Sequence, residues 1–183
     1  MSPAGCREPP AGSVPGVRAA TTGRGTRGSA NMSIKRMDHV GVVVDDLEAA
    51  VAFFVELGVE RVGGAESVEG AWVDRVVGLE DVHVEIAFVA TPDGHSRLEL
   101  TQFHRPVATT TEPSAPANTQ GLRRLMFAVD DIHDTVTRLK AHGGEVVGEI
   151  APYEDVFLLC YLRGPSGIIV ALAEEIGGAT PPR

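Results

Sequence analysis

The sequence has few cysteines, which limits both its cross-links and its compartment. Cys6 and Cys160 are the only two in 183 residues, too few for the disulfide framework of a small secreted domain. Cys160 lies in an apolar stretch and is most simply a small core residue. This usage fits a reducing cytoplasm, where we expect the protein to reside.

The sequence also lacks long apolar runs and an excess of positive charge. No apolar stretch is long enough to cross a bilayer. The formal net charge of −9 argues against general binding to nucleic acids or to anionic membrane surfaces. Phosphate-binding glycine loops, the nucleophile elbow and zinc-ribbon spacings are absent as well.

The N-terminal stretch differs in composition from the rest of the chain. Residues 1–31 are rich in Pro, Gly, Ala, Ser, Thr and Arg and have no apolar periodicity. We predict that residues 1–33 are a disordered tail, unless Met32 is the true start of the protein. A transit peptide is a third possibility, but the Pro and Gly content disfavours its amphipathic helix.

A repeated stretch organises the remaining sequence. An offset of 85 residues, the separation of His39 from Arg124, aligns Met37–Gly63 with Leu122–Gly148 without a gap. Each copy has an apolar strand, an Asp-Asp pair able to cap a helix, an amphipathic helix and a glycine stop. The repeat indicates two similar modules that share a core or a site.

The repeat predicts the fold class. We expect an α+β fold of two tandem βαβββ modules, whose curved mixed sheets enclose a cavity. The expected boundaries are a first module at 34–103, a linker at 104–120, a second module at 121–176 and a tail at 177–183.

Two loops are candidates for ligand contact. Gly70–Asp81 has no counterpart in the second copy and is either a short helical turn or an extended edge. Insertions over a binding face often determine specificity, so Trp72 is a pocket candidate, with a core anchor as the alternative. Glu154 lies in a polar loop that either touches a ligand or is a solvated turn.

Two polar side chains interrupt apolar strands. His39 lies in the first strand and Glu99 in the middle of the fourth. A lone histidine of this kind is more often a hydrogen-bonded core residue, but an unpaired buried carboxylate is costly, so Glu99 should face water, a cation or a donor. One imidazole and one carboxylate on neighbouring strands could hold a divalent metal.

Together these features resemble the vicinal oxygen chelate superfamily. That superfamily includes glyoxalase I, methylmalonyl-CoA epimerase, extradiol dioxygenases and the fosfomycin and bleomycin resistance proteins. The resemblance rests on His39 in Asp-His-Val-Gly-Val, on Glu99 in Arg-Leu-Glu-Leu and on the Asp-Asp turn before each helix. It covers residues 34–176 as one domain and implies the fold, but the fold hosts many chemistries.

The resemblance also implies a metal site, which this sequence fills only in part. In metal-dependent members each module contributes one ligand from its first strand and one from its last. His39 and Glu99 match two ligands of one divalent ion (Zn, Ni, Mn or Fe), and Glu99 also matches the catalytic base. The other two positions are Arg124 and Ala171, neither of which can bind a metal.

We therefore expect a metal-free site as much as a site with one divalent ion. We hypothesise that Arg124 takes the place of the ion and pairs with Glu99, either orienting an anionic ligand or only neutralising the carboxylate. Four other side chains could instead complete a metal site by leaning in. They are His83, Glu85, His104 and Glu154.

Two functions stay open at this point. The first is a lyase or isomerase that acts on a small oxygenated substrate through an enolate-like anion. The second is a metal-independent protein that sequesters a small molecule, as in the bleomycin-resistance branch. The expected partners are a small-molecule ligand and a second copy of the chain, and neither nucleic acid nor a membrane. The residues expected to bind the ligand are His39, Arg124, Trp72 and Glu154.

Overall fold

The computed structural model describes residues 36–109 and 112–177. The predicted N-terminal tail, Cys6 and most of the predicted C-terminal tail lie outside the described residues. Four strands form the first sheet: β1 (Val40–Val43), β2 (Glu60–Glu69), β3 (His83–Ala90) and β4 (Arg97–Arg105). Their order is β1-β4-β3-β2, with β1 parallel to β4 and the other pairs antiparallel.

The second sheet repeats this topology. Its strands are β5 (Arg124–Ala128), β6 (Glu145–Val146), β7 (Ala151–Tyr153), β8 (Phe157–Arg163) and β9 (Ile169–Glu175). Their order is β5-β9-β8-β6, with β7 also paired to β8, and β5 is parallel to β9 as β1 is to β4. The predicted α+β fold of two tandem modules is therefore confirmed.

Within the described ranges three α-helices accompany the strands: α1 (Leu47–Leu57), α2 (Ala71–Val77) and α3 (Ile132–Ala141). The Asp-Asp turns cap the helices as predicted, because Asp46 accepts from the Ala49 N–H at 2.9 Å and Asp131 from the Asp134 N–H at 2.8 Å. Gly58 ends α1 at a φ of 116°, a left-handed conformation that glycine adopts without steric cost.

One hydrophobic core lies between the sheets and the two long helices. Phe53 and Phe54 of α1 are fully buried in it, as are Leu139 of α3 and Leu172 of β9. Gly164 lets the second module approach α1 closely, since a Cβ there would come within 2.9 Å of the Phe53 ring. The core therefore joins both modules through α1.

The insertion in the first module is helical, which decides between its two predicted conformations. Gly70–Asp81 contains α2, whose Val73 packs on a small second core with Val82 and Val84. The other side of α2 is exposed, and the side chain of Trp72 is 56% accessible. Trp72 is thus not a core anchor.

A pair of hydrogen bonds ties the first module to the second. The backbone N–H of Asp45, just before α1, donates to Ser166 Oγ at 3.0 Å, and the Ser166 hydroxyl lies 2.5 Å from Asp45 Oδ1. Ser166 lies in the 3₁₀ turn Pro165–Gly167 between β8 and β9. These bonds, called the clasp below, lower the pKa of Asp45, chiefly through the Ser166 hydroxyl.

Removing the Ser166 hydroxyl should destabilise the protein in a pH-dependent way. A carboxyl group with a lowered pKa stabilises the fold above its unfolded-state pKa, and this contribution disappears as the pH falls through the folded-state pKa. We expect Ser166→Ala to lower the free energy of unfolding by about 0.5–1 kcal/mol near pH 7, because this is what an exposed hydrogen bond contributes. Near pH 3 the same substitution should lower the free energy of unfolding by less. Urea unfolding at both pH values measures this difference.

Thr119→Ala is the matched control, because Thr119 is exposed and its described hydrogen bond uses the backbone N–H. Equal losses for Ser166→Ala at the two pH values would contradict a contribution from the Asp45 carboxylate.

The buried cysteine offers a second test. Cys160 is 3% exposed, and burial raises the pKa of its thiol to about 11. Because the thiolate is the reactive form, Cys160 in a Cys6→Ser background should not react with a disulfide reagent in the native protein near pH 8. It should react once urea unfolds the chain. Fast stoichiometric labelling of the native protein would contradict the core assignment.

Candidate functional site

The first sheet has one face covered by α1. On the other face α2 packs only at one end, on Val84 and its neighbours, and the side formed by β1 is left uncovered. Residues alternate between faces along a strand, and Val42, Leu98 and Leu100 pack toward α1 in the core. Gly41 and Glu99 are Cα partners across β1 and β4, and Val43 and Thr101 are the next pair. We call the face that carries these two pairs, together with His39 and Phe88, the open face.

His39 and Glu99 meet on the open face, as the sequence suggested. His39 Nε2 lies 3.4 Å from Glu99 Oε2, and the side chains are 34% and 26% exposed, respectively. The Thr101 hydroxyl donates to Glu99 Oε1 at 3.2 Å. The rings of His39 and Phe88 are nearly perpendicular to each other, and their centroids lie 5.7 Å apart. The carboxylate is therefore held on both oxygens while remaining accessible.

Asp38 holds the other side of the imidazole. His39 Nδ1 lies 3.2 Å from Asp38 Oδ2, and Asp38 Oδ1 lies 2.5 Å from Arg36 Nη2. The Arg36 guanidinium, followed by the His39 imidazole, lowers the pKa of Asp38. His39 is thus bracketed by two carboxylates, a common way to fix the orientation of a functional imidazole.

Gly41 keeps the space above Glu99 free. A Cβ added at Gly41 would meet no other heavy atom within 4 Å, so the residue faces open space. Beside His39, between the starts of β1 and β5, lies a cavity of about 200 Å³. Its apolar wall includes Val40, Leu98 and Leu125. A small molecule therefore has access to the His39–Glu99 pair from the open face, whereas the cavity is lined by His39 and not by Glu99.

The predicted ion pair between Arg124 and Glu99 is wrong for the described residues. Glu99 pairs with His39, whereas the Arg124 guanidinium carbon lies 5.3 Å from the centroid of the Tyr161 ring. The reason is that Arg124 belongs to the second sheet, where Tyr161 of β8 lies on the same face. Ala171 is fully buried between Met126 and Tyr161 in the register of that sheet.

The donor set does not fit the four-ligand ion that the resemblance implies. Among residues 36–109 and 112–177, no group of three or more His, Cys, Asp or Glu side chains is arranged to hold a metal ion. His39 and Glu99 supply two donors, and Arg124 and Ala171 supply none. The residues proposed to lean in do not reach this pair, because His104 Nε2 bonds to Glu85 at 3.0 Å and His83 Nε2 lies 3.1 Å from Ser67 Oγ.

The remaining predicted ligand contacts lie elsewhere in the described structure. Trp72 projects from α2 into solvent, and Glu154 lies in the exposed turn between β7 and β8 with a φ of 49°. Neither lines the cavity beside His39. Sequence reasoning missed Asp38, Thr101 and Tyr161. Thr101 has a readable signal, since it lies two residues after Glu99 on one strand and thus on the same face.

Comparisons with known proteins agree with this architecture. The family described as the Glyoxalase/Bleomycin resistance protein/Dioxygenase superfamily matches residues 36–172. A glyoxalase family protein from Bacillus cereus is 47% identical with a TM-score of 0.77, over 82% of this chain and 100% of that one. No protein of curated function matches the sequence.

Two more distant structures share the fold. An antibiotic-binding protein from Streptomyces sp. CB03234 is 20% identical with a TM-score of 0.51, over 79% of this chain and 99% of that one. A fosfomycin resistance protein from Listeria monocytogenes is 16% identical with a TM-score of 0.50, over 79% of this chain and 95% of that one. Separately, none of the helices in the described ranges has the length and hydropathy needed to cross a membrane.

Proposed function

Because the chain belongs to the Glyoxalase/Bleomycin resistance protein/Dioxygenase superfamily, we propose that it binds a small molecule on its open face without a metal ion. The observation that supports this most directly is the His39–Glu99 pair, which is accessible and has its nitrogen and oxygen 3.4 Å apart. Among the described residues it belongs to no group of three or more His, Cys, Asp or Glu side chains arranged to hold a metal ion. An imidazole and a carboxylate on a concave sheet can accept and donate hydrogen bonds to an oxygenated ligand.

In this proposal Glu99 and His39 contact the polar part of the ligand, and Thr101 and Asp38 hold them in place. The hydroxyl of Thr101 occupies one lone pair of Glu99, and Asp38 occupies the Nδ1 position of His39. A ligand would bond to the remaining lone pairs of Glu99 or take its place at His39 Nε2. The Phe88 ring beside His39 gives the ligand an apolar surface. Arg124 lies in β5 of the second sheet and not on the open face, and Trp72 and Glu154 are not among the proposed contacts.

A lyase or isomerase is the second candidate, and one observation favours it. Glu99 is a partly exposed carboxylate whose position is fixed by Thr101 and His39, which is what a general base needs. Such an enzyme would remove a proton next to a carbonyl of a small oxygenated substrate, with Glu99 as the base. His39 and Glu99 would also be the two metal ligands if an ion were recruited.

We also propose that the domain of residues 34–176 acts as a homodimer in the cytoplasm. Large apolar side chains are exposed on the helices, since Val55 of α1 is 45% exposed and Val76 of α2 is 77% exposed. Covering them with a second copy would remove apolar area from water.

Metal content separates the two candidate functions. Protein purified without added metal, and again after dialysis against nickel, zinc and manganese, should retain no stoichiometric ion by mass spectrometry while keeping its circular dichroism spectrum. The reason is that two donors rarely hold a divalent ion against exchange. One ion per chain that is lost in His39→Ala would overturn the metal-free proposal and favour the enzyme.

Filling the space above Glu99 should abolish binding without affecting the fold. Gly41→Leu places a side chain into open space on the open face, and Gly148→Leu places the same side chain into open space in the second module. We expect ligand-detected NMR with a panel of small hydroxy acids, keto acids, aldehydes and alcohols to show binding to wild type and Gly148→Leu only. Equal binding to Gly41→Leu, with an unchanged melting temperature, would remove the open face from the proposal.

A further inference from the structure

The second sheet also has a face that α3 does not cover, and its residues differ in character from those of the first. Cys160, Leu162, Val170 and Leu172 point into the core. Because side chains alternate along a strand, their neighbours along β8 and β9 point the other way. Cα pairing across β5, β9 and β8 puts Arg124, Ile169 and Arg163 in one row and Met126, Ala171 and Tyr161 in the next. We call this surface the outer face.

Arg124 is the exposed cation of the outer face, and its charge is not neutralised. Within the described ranges no carboxylate lies within 4.0 Å of its guanidinium nitrogens, and its described contact is with the Tyr161 ring, at 5.3 Å from the centroid. Stacking on a ring holds the guanidinium in place but leaves its in-plane N–H groups free. In a chain with a net charge of −9, an arginine held in this way is a prepared site for an anion.

Arg163 adds charge nearby but does not compete for the anion. Its Nη1 donates to the carbonyls of Pro113 at 2.7 Å and Gly167 at 3.2 Å, and its Nη2 to that of Ala115 at 3.1 Å. Carbonyls satisfy the donors without cancelling the positive charge. In this row the N–H groups of Arg124 are therefore available to an anion, and Arg163, on the other side of Ile169, supplies a second positive charge.

The rest of the outer face is largely apolar, with small residues at Ala171, Ala173 and Ala128. Ala171 lies between Met126 and Tyr161, and the next row is Ala128, Ala173 and Leu159. A ligand that reaches Arg124 would lay an apolar body along the exposed side chains of β5, Met126 and Ala128. A single guanidinium fork matches a planar two-oxygen anion in bidentate geometry, whereas the highly charged phosphate dianion usually requires more donors.

We infer that Arg124 and Tyr161 form a carboxylate-binding subsite, and that the ligand is a small carboxylic acid with an apolar body. Tyr161 supports the guanidinium with its ring and presents a hydroxyl as a further donor. This inference rests on the proposed function for the existence of a ligand, and it deepens that proposal by naming the ligand's chemical class.

Hexanoate and hexanol, which share an apolar chain and differ in charge, test the subsite. Titration of the full-length protein followed by NMR should show hexanoate moving the Arg124 Nε–H and Tyr161 ring signals, with hexanol moving them little. Arg124→Gln should weaken hexanoate binding by about tenfold or more, because a charge-assisted pair is lost. Arg124→Lys should recover only part of it, since the ammonium lacks the fork.

Arg123→Gln is the matched control, because Arg123 is the adjacent arginine and donates its Nε–H to the Leu122 carbonyl. Its hexanoate affinity should equal that of wild type. Equal affinities for hexanoate and hexanol would overturn the subsite, and so would an equal loss in Arg123→Gln and Arg124→Gln. The assignment to a carboxylate would be overturned if inorganic phosphate displaced hexanoate at a lower concentration than acetate does.

Gly41→Leu distinguishes failure of this inference from failure of the proposed function. If a neutral panel compound binds in a Gly41-sensitive way and hexanoate does not bind, the subsite is wrong and the proposed function stands. If hexanoate binds through Arg124 and Gly41→Leu does not alter any binding, the subsite stands and the open face is not the ligand site.

Discussion

The structure depends on a simple constraint, which is that each sheet has one long helix to cover it. α1 covers one face of the first sheet and α3 one face of the second, and Phe53, Phe54 and Leu139 close the shared core between them. A sheet with apolar residues on one side needs only that side buried. Apart from the end on which α2 packs, the opposite faces are therefore free to carry His39 and Glu99 in one module and Arg124 and Tyr161 in the other. The functional surfaces follow from what the helices leave uncovered.

Much of the fold could be predicted from the sequence because the same pattern of apolar strand, Asp-Asp cap, helix and glycine occurs twice. The Asp-Asp turns, the apolar first strands and the glycine at the end of α1 each satisfy a local requirement of the backbone, and local requirements are readable one residue at a time. Glu99 was also predictable, since a carboxylate in the middle of an apolar strand must find a donor. The insertion around Trp72 was ambiguous because seven helical residues, Ala71–Val77, are too few to set a clear period.

The partner of Arg124 could not be predicted in the same way. Aligning the modules put Arg124 and His39 at equivalent positions, and balancing formal charges then suggested Glu99 as the partner. Charge balance ignores distance, and Arg124 contacts Tyr161, which is 37 residues away in sequence and two strands away in the sheet. Only the register of β5, β9 and β8 shows that these side chains share a face. The missing information was strand pairing rather than residue chemistry.

The clasp between Asp45 and Ser166 makes the two joints of the repeat chemically different. In the other joint, the turn Thr91-Pro92-Asp93-Gly94 takes the place of Gly164–Gly167, and Asp93 and Asp130 line a single groove of about 680 Å³. Asp93 is held within its own turn by Thr91 and His95, and two carboxylates do not attract each other at neutral pH. Beside this groove the modules are tied by an ion pair, since Arg138 of α3 lines the groove and donates to Glu56 of α1 at 2.7 Å. Dissolved salt screens such a partly exposed pair, so ionic strength acts on this joint more directly than on the hydroxyl bond at Ser166.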